Sequence, residues 1–257
     1  MLGSILLMFL STAETLAAVA TTHPDEAACN AMTQPSMYKY GSCWFLSADA
    51  TNCTGGSYTT NQARCAAIKT GAAVAVLSDE THLDEVVTTL GAQRCGGFSP
   101  WIEIGMRQTS GAPGAYDWWN WLVPDGTLVP LASSWLSGQW GGGDTPSTSQ
   151  LRMYYHTTAR ALGDDSDSWI TLAVCQARSG SLHFNSLPAT EATAETIGAD
   201  VDLSSHSCAA KCMRTWHCVA YTHIKAPSRV CRLHMVQHND GRHVAGANAD
   251  ATYFYAL

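Results

Sequence analysis

Ten cysteines in a chain of 257 residues restrict what this sequence can fold into more than any other feature. Their number is even, and all lie beyond the first twenty residues. An oxidising compartment lets such a set persist as bridges, and bridges let short, loop-rich modules stand where a large core would otherwise be needed. The first twenty residues, MLGSILLMFLSTAETLAAVA, suit that compartment. They hold an apolar run from Ile5 to Leu10, too short to span a bilayer, and an A-x-A arrangement at Ala18 and Ala20. Residues 1–20 therefore read as a signal peptide, and the protein as secreted and extracellular. No later stretch has the uninterrupted apolar length of a membrane span. Asn52-Cys53-Thr54 has the pattern of a glycosylation sequon, with a cysteine in its centre.

Charge divides the remainder. Residues 21–177 carry seven basic and fourteen acidic side chains, whereas 183–257 carry six of each. The short stretch 178–182 is small and polar and reads as a linker between two modules. A formal net charge of -7 removes the clustered basic surface that nucleic acid requires, so nucleic-acid binding is excluded from the expected roles.

In the first module, Ser78 is placed to cap a helix whose Leu83, Val86, Val87 and Leu90 share one face. A second helix is expected from about Thr60 to Lys69, with Cys65 turned inward. Short β-type runs lie at Ser42 to Leu46, Ala73 to Leu77, Trp101 to Met106, Leu151 to Tyr155 and Trp169 to Val174. Helices early and strands late predict an α+β fold.

Several of these pieces, in this order, resemble a C-type lectin-like domain. They are Tyr40-Gly41-Ser42-Cys43-Trp44-Phe45, Ala63 with Cys65, Gly71 to Ser78, Trp101-Ile102-Glu103-Ile104-Gly105, Trp121 with Asp125-Gly126-Thr127, Trp135, and Trp169 with Cys175. The resemblance covers about residues 29 to 176. It implies a looped fold with Cys65 bonded to Cys175 and Cys29 to Cys43, leaving Cys53 and Cys95 to each other. The family's further bond near the long loop is missing, since Gln150 and Asp167 stand where its cysteines would be.

The stretch WLSGQWGGGD, Trp135 to Asp144, covers the loop that carries the ligand in sugar-binding members. Where they have Glu or Gln, a cis proline, then Asn or Asp, this chain has Gln139, Trp140 and Gly141. Gly141 offers no side-chain oxygen to a calcium ion that wants six to eight. A cis bond before Trp140 would cost about 2.5 to 4 kcal/mol, against about 0.5 to 1 before proline. The partner motif falls on Leu162, Gly163 and Asp164, where only the acid survives. Gln139, Trp140, Asp144 and Asp164 are therefore the expected ligand-binding residues. Asp164 and Asp165, with Asp144 and Asp167 nearby, are the candidate holders of a cation, for which calcium is the candidate, unless the cluster is simply a solvated acidic loop. The Trp140 ring either stacks on a sugar or fills the loop's own core. Trp121 is expected inside, and strand alternation turns one of Trp118 and Trp119 outward.

The second module resembles a PAN or apple domain through Cys208-x3-Cys212, Cys218-Val219-Ala220-Tyr221 and Cys231-Arg232-Leu233. That resemblance implies a helix stapled across a small antiparallel sheet, with Cys208 bonded to Cys231 and Cys212 to Cys218. Histidines 206, 217, 223, 234, 238 and 243 are scattered here without a strong metal motif. Neither a G-x-S-x-G elbow nor an H-E-x-x-H helix occurs, so no enzyme is expected. The expected role is recognition of a glycan or glycoprotein through the lectin-like part, outside the usual calcium site, with other extracellular proteins as further partners. The alternative is an extracellular structural or adhesion protein in which both modules make protein contacts.

Overall fold

Every pair of neighbouring named strands in this protein runs antiparallel, so its sheets are assembled from hairpins and returning strands. The computed structural model describes residues 24–48, 54–96, 99–109, 114, 116–131, 133–141, 147–166, 169–180 and 183–257. The expected signal segment, the sequon asparagine, Cys53, Asp144 and Asp167 lie outside them. In chain order come α1 (Pro24–Asn30), β1 (Ser36–Lys39), β2 (Ser42–Leu46), α2 (Tyr58–Ile68), β3 (Ala73–Val74), α3 (Glu80–Ala92), β4 (Trp101–Gln108), β5 (Trp119–Leu122), β6 (Leu128–Pro130), α4 (Ser133–Gln139), β7 (Arg152–His156), β8 (Ala161–Asp165) and β9 (Val174–Arg178). There follow β10 (Phe184–Ala192), β11 (Thr196–Val201), α5 (Ser205–Arg214), β12 (Ala220–Ile224), β13 (Val230–His234) and β14 (Ala245–Ala256). The strands form three sheets, ordered β1-β2-β9-β3, β6-β5-β4-β7-β8 and β10-β14-β12-β13-β11. No helix among the described residues is long and apolar enough to cross a membrane.

Helix α3 forms because Leu83, Val86, Val87 and Leu90 recur on one face, and all four are buried in the core of the first part. Its cap is Asp79, not Ser78 as the sequence suggested: the Asp79 carboxylate accepts from His82 N at 3.0 Å. Ser78 is already spent, donating its hydroxyl to the Met235 carbonyl at 2.9 Å. Helix α2 is pinned by Asn61, whose amide donates to the Gly56 and Thr171 carbonyls and to the Glu103 carboxylate while its own oxygen accepts from Ser47. Every polar atom of that buried side chain is thereby used. At Gly105 the β4 backbone donates to the Ala75 carbonyl, and a side chain there would stand 2.7 Å from that oxygen.

The last strand of the first part begins later than the apolar run Trp169 to Val174 suggested. Residues 171 and 173 pair with other segments only as isolated β-bridges, and the ladder with β2 opens at Val174 and pairs Cys175 with Phe45. Thr171, Leu172 and Ala173 are buried without a ladder, which hydrophobicity alone does not separate from a strand. Bridges join Cys29 to Cys43, Cys65 to Cys175, Cys208 to Cys231 and Cys212 to Cys218, the four pairs implied by the family resemblances. Cys95 is also disulfide-bonded, and its expected partner Cys53 lies outside the described residues. In the second part, α5 lies against β12 and β13, and its Cys208 and Cys212 are fully buried.

The two parts share one core. Met235 and Val236 belong to the same buried cluster as Leu83, Val86 and Trp121, and Trp216 packs on it. Asp79 also accepts from Gln237 N at 2.7 Å, Asp240 accepts from Glu80 N at 2.8 Å, and Arg242 donates to the Ser78 carbonyl. Arg178, at the head of the expected linker, ends β9 and donates to the carbonyls of Thr215, Trp216 and Cys218 at 2.9, 2.6 and 3.0 Å. Burial lowers its pKa to about 10, which leaves it charged at neutral pH.

Two imidazoles in the second part are held neutral. Burial, and after it the Arg178 charge, lowers His217 to about 4; burial first also lowers His234 to about 4. His234 gives one ring nitrogen to the Ala194 carbonyl and the other to the Thr222 hydroxyl, so its N–H is assigned to Nδ1. Unfolding restores both rings to the ordinary value near 6.5, so the unfolded chain binds more protons below it. Their contribution to stability is complete above about pH 6.5 and is lost as the pH falls through about 4. The denaturation midpoint should drop across that window, and His217→Phe should shrink the drop. An unchanged pH profile in that variant would remove His217 from the account.

Candidate functional site

Gln139 ends α4 and Trp140 follows it, and the chain then runs beside β8 through a Trp140–Leu162 bridge and a Gly141 N–H donated to the Leu162 carbonyl at 3.1 Å. The two neighbours point to different surroundings. The Trp140 ring is half-buried on the core, edge-on to Tyr116 with centroids 5.5 Å apart and tilted 6.4 Å from Trp119. Its indole N–H is buried and finds no acceptor among the described residues. Of the two roles open from sequence, this geometry is that of a ring filling the loop's own core.

Gln139 lies instead at the edge of an open cleft of about 450 Å³, within the usual size range of ligand pockets. Four segments build it. Glu80 and Asp84 lie one turn apart on α3, along the edge of the buried stripe, where Leu83 also lines the cleft. Tyr155 comes from β7 and Arg160 from the turn after it, while Asn239 and Gly241 come from the second part. Gln139 donates to Glu80 Oε1 at 3.0 Å, and Asp84 accepts from the Tyr155 hydroxyl at 2.6 Å while pairing with Arg160 at 2.6 Å. Burial, with the bond to Asp84 second, pushes the Tyr155 phenol far above its usual pKa, so it stays a donor. The rim thus offers two amides, two carboxylates and a guanidinium, all planar, of which Gln139, Glu80, Asp84 and Arg160 are already engaged in pairs. Such groups exchange mutual hydrogen bonds for those of a polyhydroxylated ligand at modest cost.

The remaining expected residues do not converge on it. Asp164 and Asp165 are successive residues of β8 and face opposite sides of the sheet. Asp164 is buried and accepts from Ser147 N at 2.9 Å, which ties the neighbouring loop to the strand. Asp165 is paired in register with Arg152, so a cation at its carboxylate would stand beside a guanidinium. Among the described residues no three His, Cys, Asp or Glu side chains are grouped to hold a metal ion. Asp144 lies outside those residues.

Sequence reasoning missed Glu80, Asp84, Arg160 and Asn239. The spacing of Glu80 and Asp84 marks a polar helix face, but what stands across from it is set by chain segments up to about 160 positions away. The open choice between Trp118 and Trp119 is settled: Trp119 and Trp121 are fully buried, and Trp118 is 56% exposed.

No protein-family model matches this chain, and no curated protein matches it. Among solved structures it is similar to Ovocleidin-17, a major protein of the Gallus gallus eggshell calcified layer, at 16% identity over 56% of this chain and 97% of that one, with a TM-score of 0.41. It is similar to the C-type lectin domain of murine dendritic cell inhibitory receptor 2, solved in complex with an N-glycan, at 18% identity over 56% and 97% with a TM-score of 0.41. The mouse scavenger receptor C-type lectin carbohydrate-recognition domain is similar at 11% identity over 58% and 98%, with a TM-score of 0.40. The solved neighbours of this chain thus include C-type lectin domains that cover little more than half of it.

Proposed function

We propose that this is a secreted recognition protein with a lectin-like first module and a PAN-like second module, which binds a glycan or glycoprotein without turning it over. The observation that carries this reading is the Gln139 cleft. One expected ligand residue opens there onto Glu80, Asp84, Arg160 and Asn239, a rim of planar hydrogen-bonding groups suited to sugar hydroxyls. Calcium takes no part in this reading: Gly141 lacks a side-chain oxygen, and Asp164 and Asp165 face apart.

Screening the full chain on a glycan array, with and without a chelator, tests it. Sugar binding should survive the chelator, and Gln139→Ala should weaken it about tenfold, the worth of one to two hydrogen bonds, without moving the melting temperature. Binding abolished by chelation would restore a calcium site. A structural or adhesive role is favoured by a different observation, the shared core that holds the two parts as one surface. An array without any bound sugar would select that reading.

A further inference from the structure

The outer face of the sheet around β4 and β5 holds a second set of groups, remote in sequence from Gln139. Trp118 is the largest exposed apolar side chain of the described residues and has φ 58, a left-handed conformation that a bulky residue rarely adopts. Two donors hold its carbonyl there, Thr109 N at 3.1 Å and the Asn120 amide at 2.6 Å. Asn120 reaches Thr109 Oγ1 as well, and Gln108 fastens the preceding loop through the Gly114 and Asp117 carbonyls. A strained backbone clamped so as to leave an indole in solvent is the pattern of a presented ligand group, since a core does not require it.

Beside the clamp lies a hollow of about 280 Å³ lined by Arg107, Thr109, Leu122, Gly126 and Leu128. Arg107 makes no ion pair with any described carboxylate, although the first module is acidic overall. The residues in register across this face are Asn120, Arg107, Arg152 and Asp165, two cations to one anion, with the Arg152 guanidinium over the Tyr58 ring at 3.8 Å. The nearby Asp117 carboxylate turns back over Gly114.

We propose that Trp118 and Arg107 form a binding site for an acidic sugar, with the indole stacking on the pyranose ring and the guanidinium taking its carboxylate or sulfate. An aromatic face and a bidentate cation without a carboxylate partner among the described residues, with Thr109 and Asn120 for hydroxyls, match that chemistry better than a neutral sugar or a purely apolar partner. The site is independent of the Gln139 cleft and stands or falls separately from it.

Affinity of the full chain for immobilised sialyllactose, hyaluronan, keratan sulfate and lactose provides the test. Hyaluronan carries carboxylate alone and keratan sulfate carries sulfate alone, so binding to either supports the site and names the anion. Arg107→Gln should weaken the acidic probe at least tenfold while Arg229→Gln, at an exposed arginine of the second part paired with Asp202, leaves it unchanged. Trp118→Gly should abolish it without lowering the melting temperature, because glycine accepts φ 58 freely. Lactose bound as tightly as sialyllactose, no binding of any acidic probe, or full affinity in Arg107→Gln or Trp118→Gly would overturn the assignment.

Discussion

Replacing both Cys65 and Cys175 with alanine is expected to remove about 4 to 5 kcal/mol of stability, by the chain-entropy relation for a loop of this size. The bridge joins positions 110 residues apart and ties α2 to the last strand of the first part, with both cysteines fully buried. Most of the first part lies inside the loop it closes, so cutting it releases much of that part's unfolded chain. The Cys212–Cys218 bridge spans only 6 residues, and the same relation gives it about 2 kcal/mol. Urea denaturation followed by tryptophan fluorescence compares the two directly. Equal losses from the long and short bridges would show that local packing, not loop closure, sets their worth.

Asp79→Ala should destabilise the protein by about 3 kcal/mol, combining a lost helix cap of about 1 with a buried N–H left unpaired at about 1 to 3. The side chain is completely buried and serves two elements at once, capping α3 through His82 N and holding the second part through Gln237 N. Asp79→Asn keeps one acceptor oxygen and should lose about half as much. Because the lost bonds cross between the two parts, limited proteolysis near residues 178–182 should accelerate in the alanine variant along with the fall in the urea midpoint. A change below about 0.5 kcal/mol with unaltered proteolysis would mean that the apolar contacts of Met235 and Val236 dock the parts unaided.

Local periodicity reached some of this. The buried stripe of α3 and the inward Cys65 of α2 are visible as spacing, because a helix repeats its environment every three to four residues. The alternation of β5 says that Trp119 and Trp121 share a face, yet not which face is buried. Trp118 precedes the strand with a left-handed backbone, which no composition signal announces. At Gln139 and Trp140 the residues were visible and their directions were not, since those depend on Tyr116, Trp119 and Glu80 arriving from other elements.

Sequence by itself reached four of the cysteine bridges, through motif order, and the local type of the most periodic elements, through the spacing of their apolar residues. Tertiary structure alone decided that the two parts share a core, that Gln139 opens onto a cleft built from four segments, and that Trp118 faces solvent while Trp119 is buried. The physical reason is range: helix faces, strand alternation and caps are settled within a few residues, whereas burial, clefts and charge pairing depend on which distant segments fold against them.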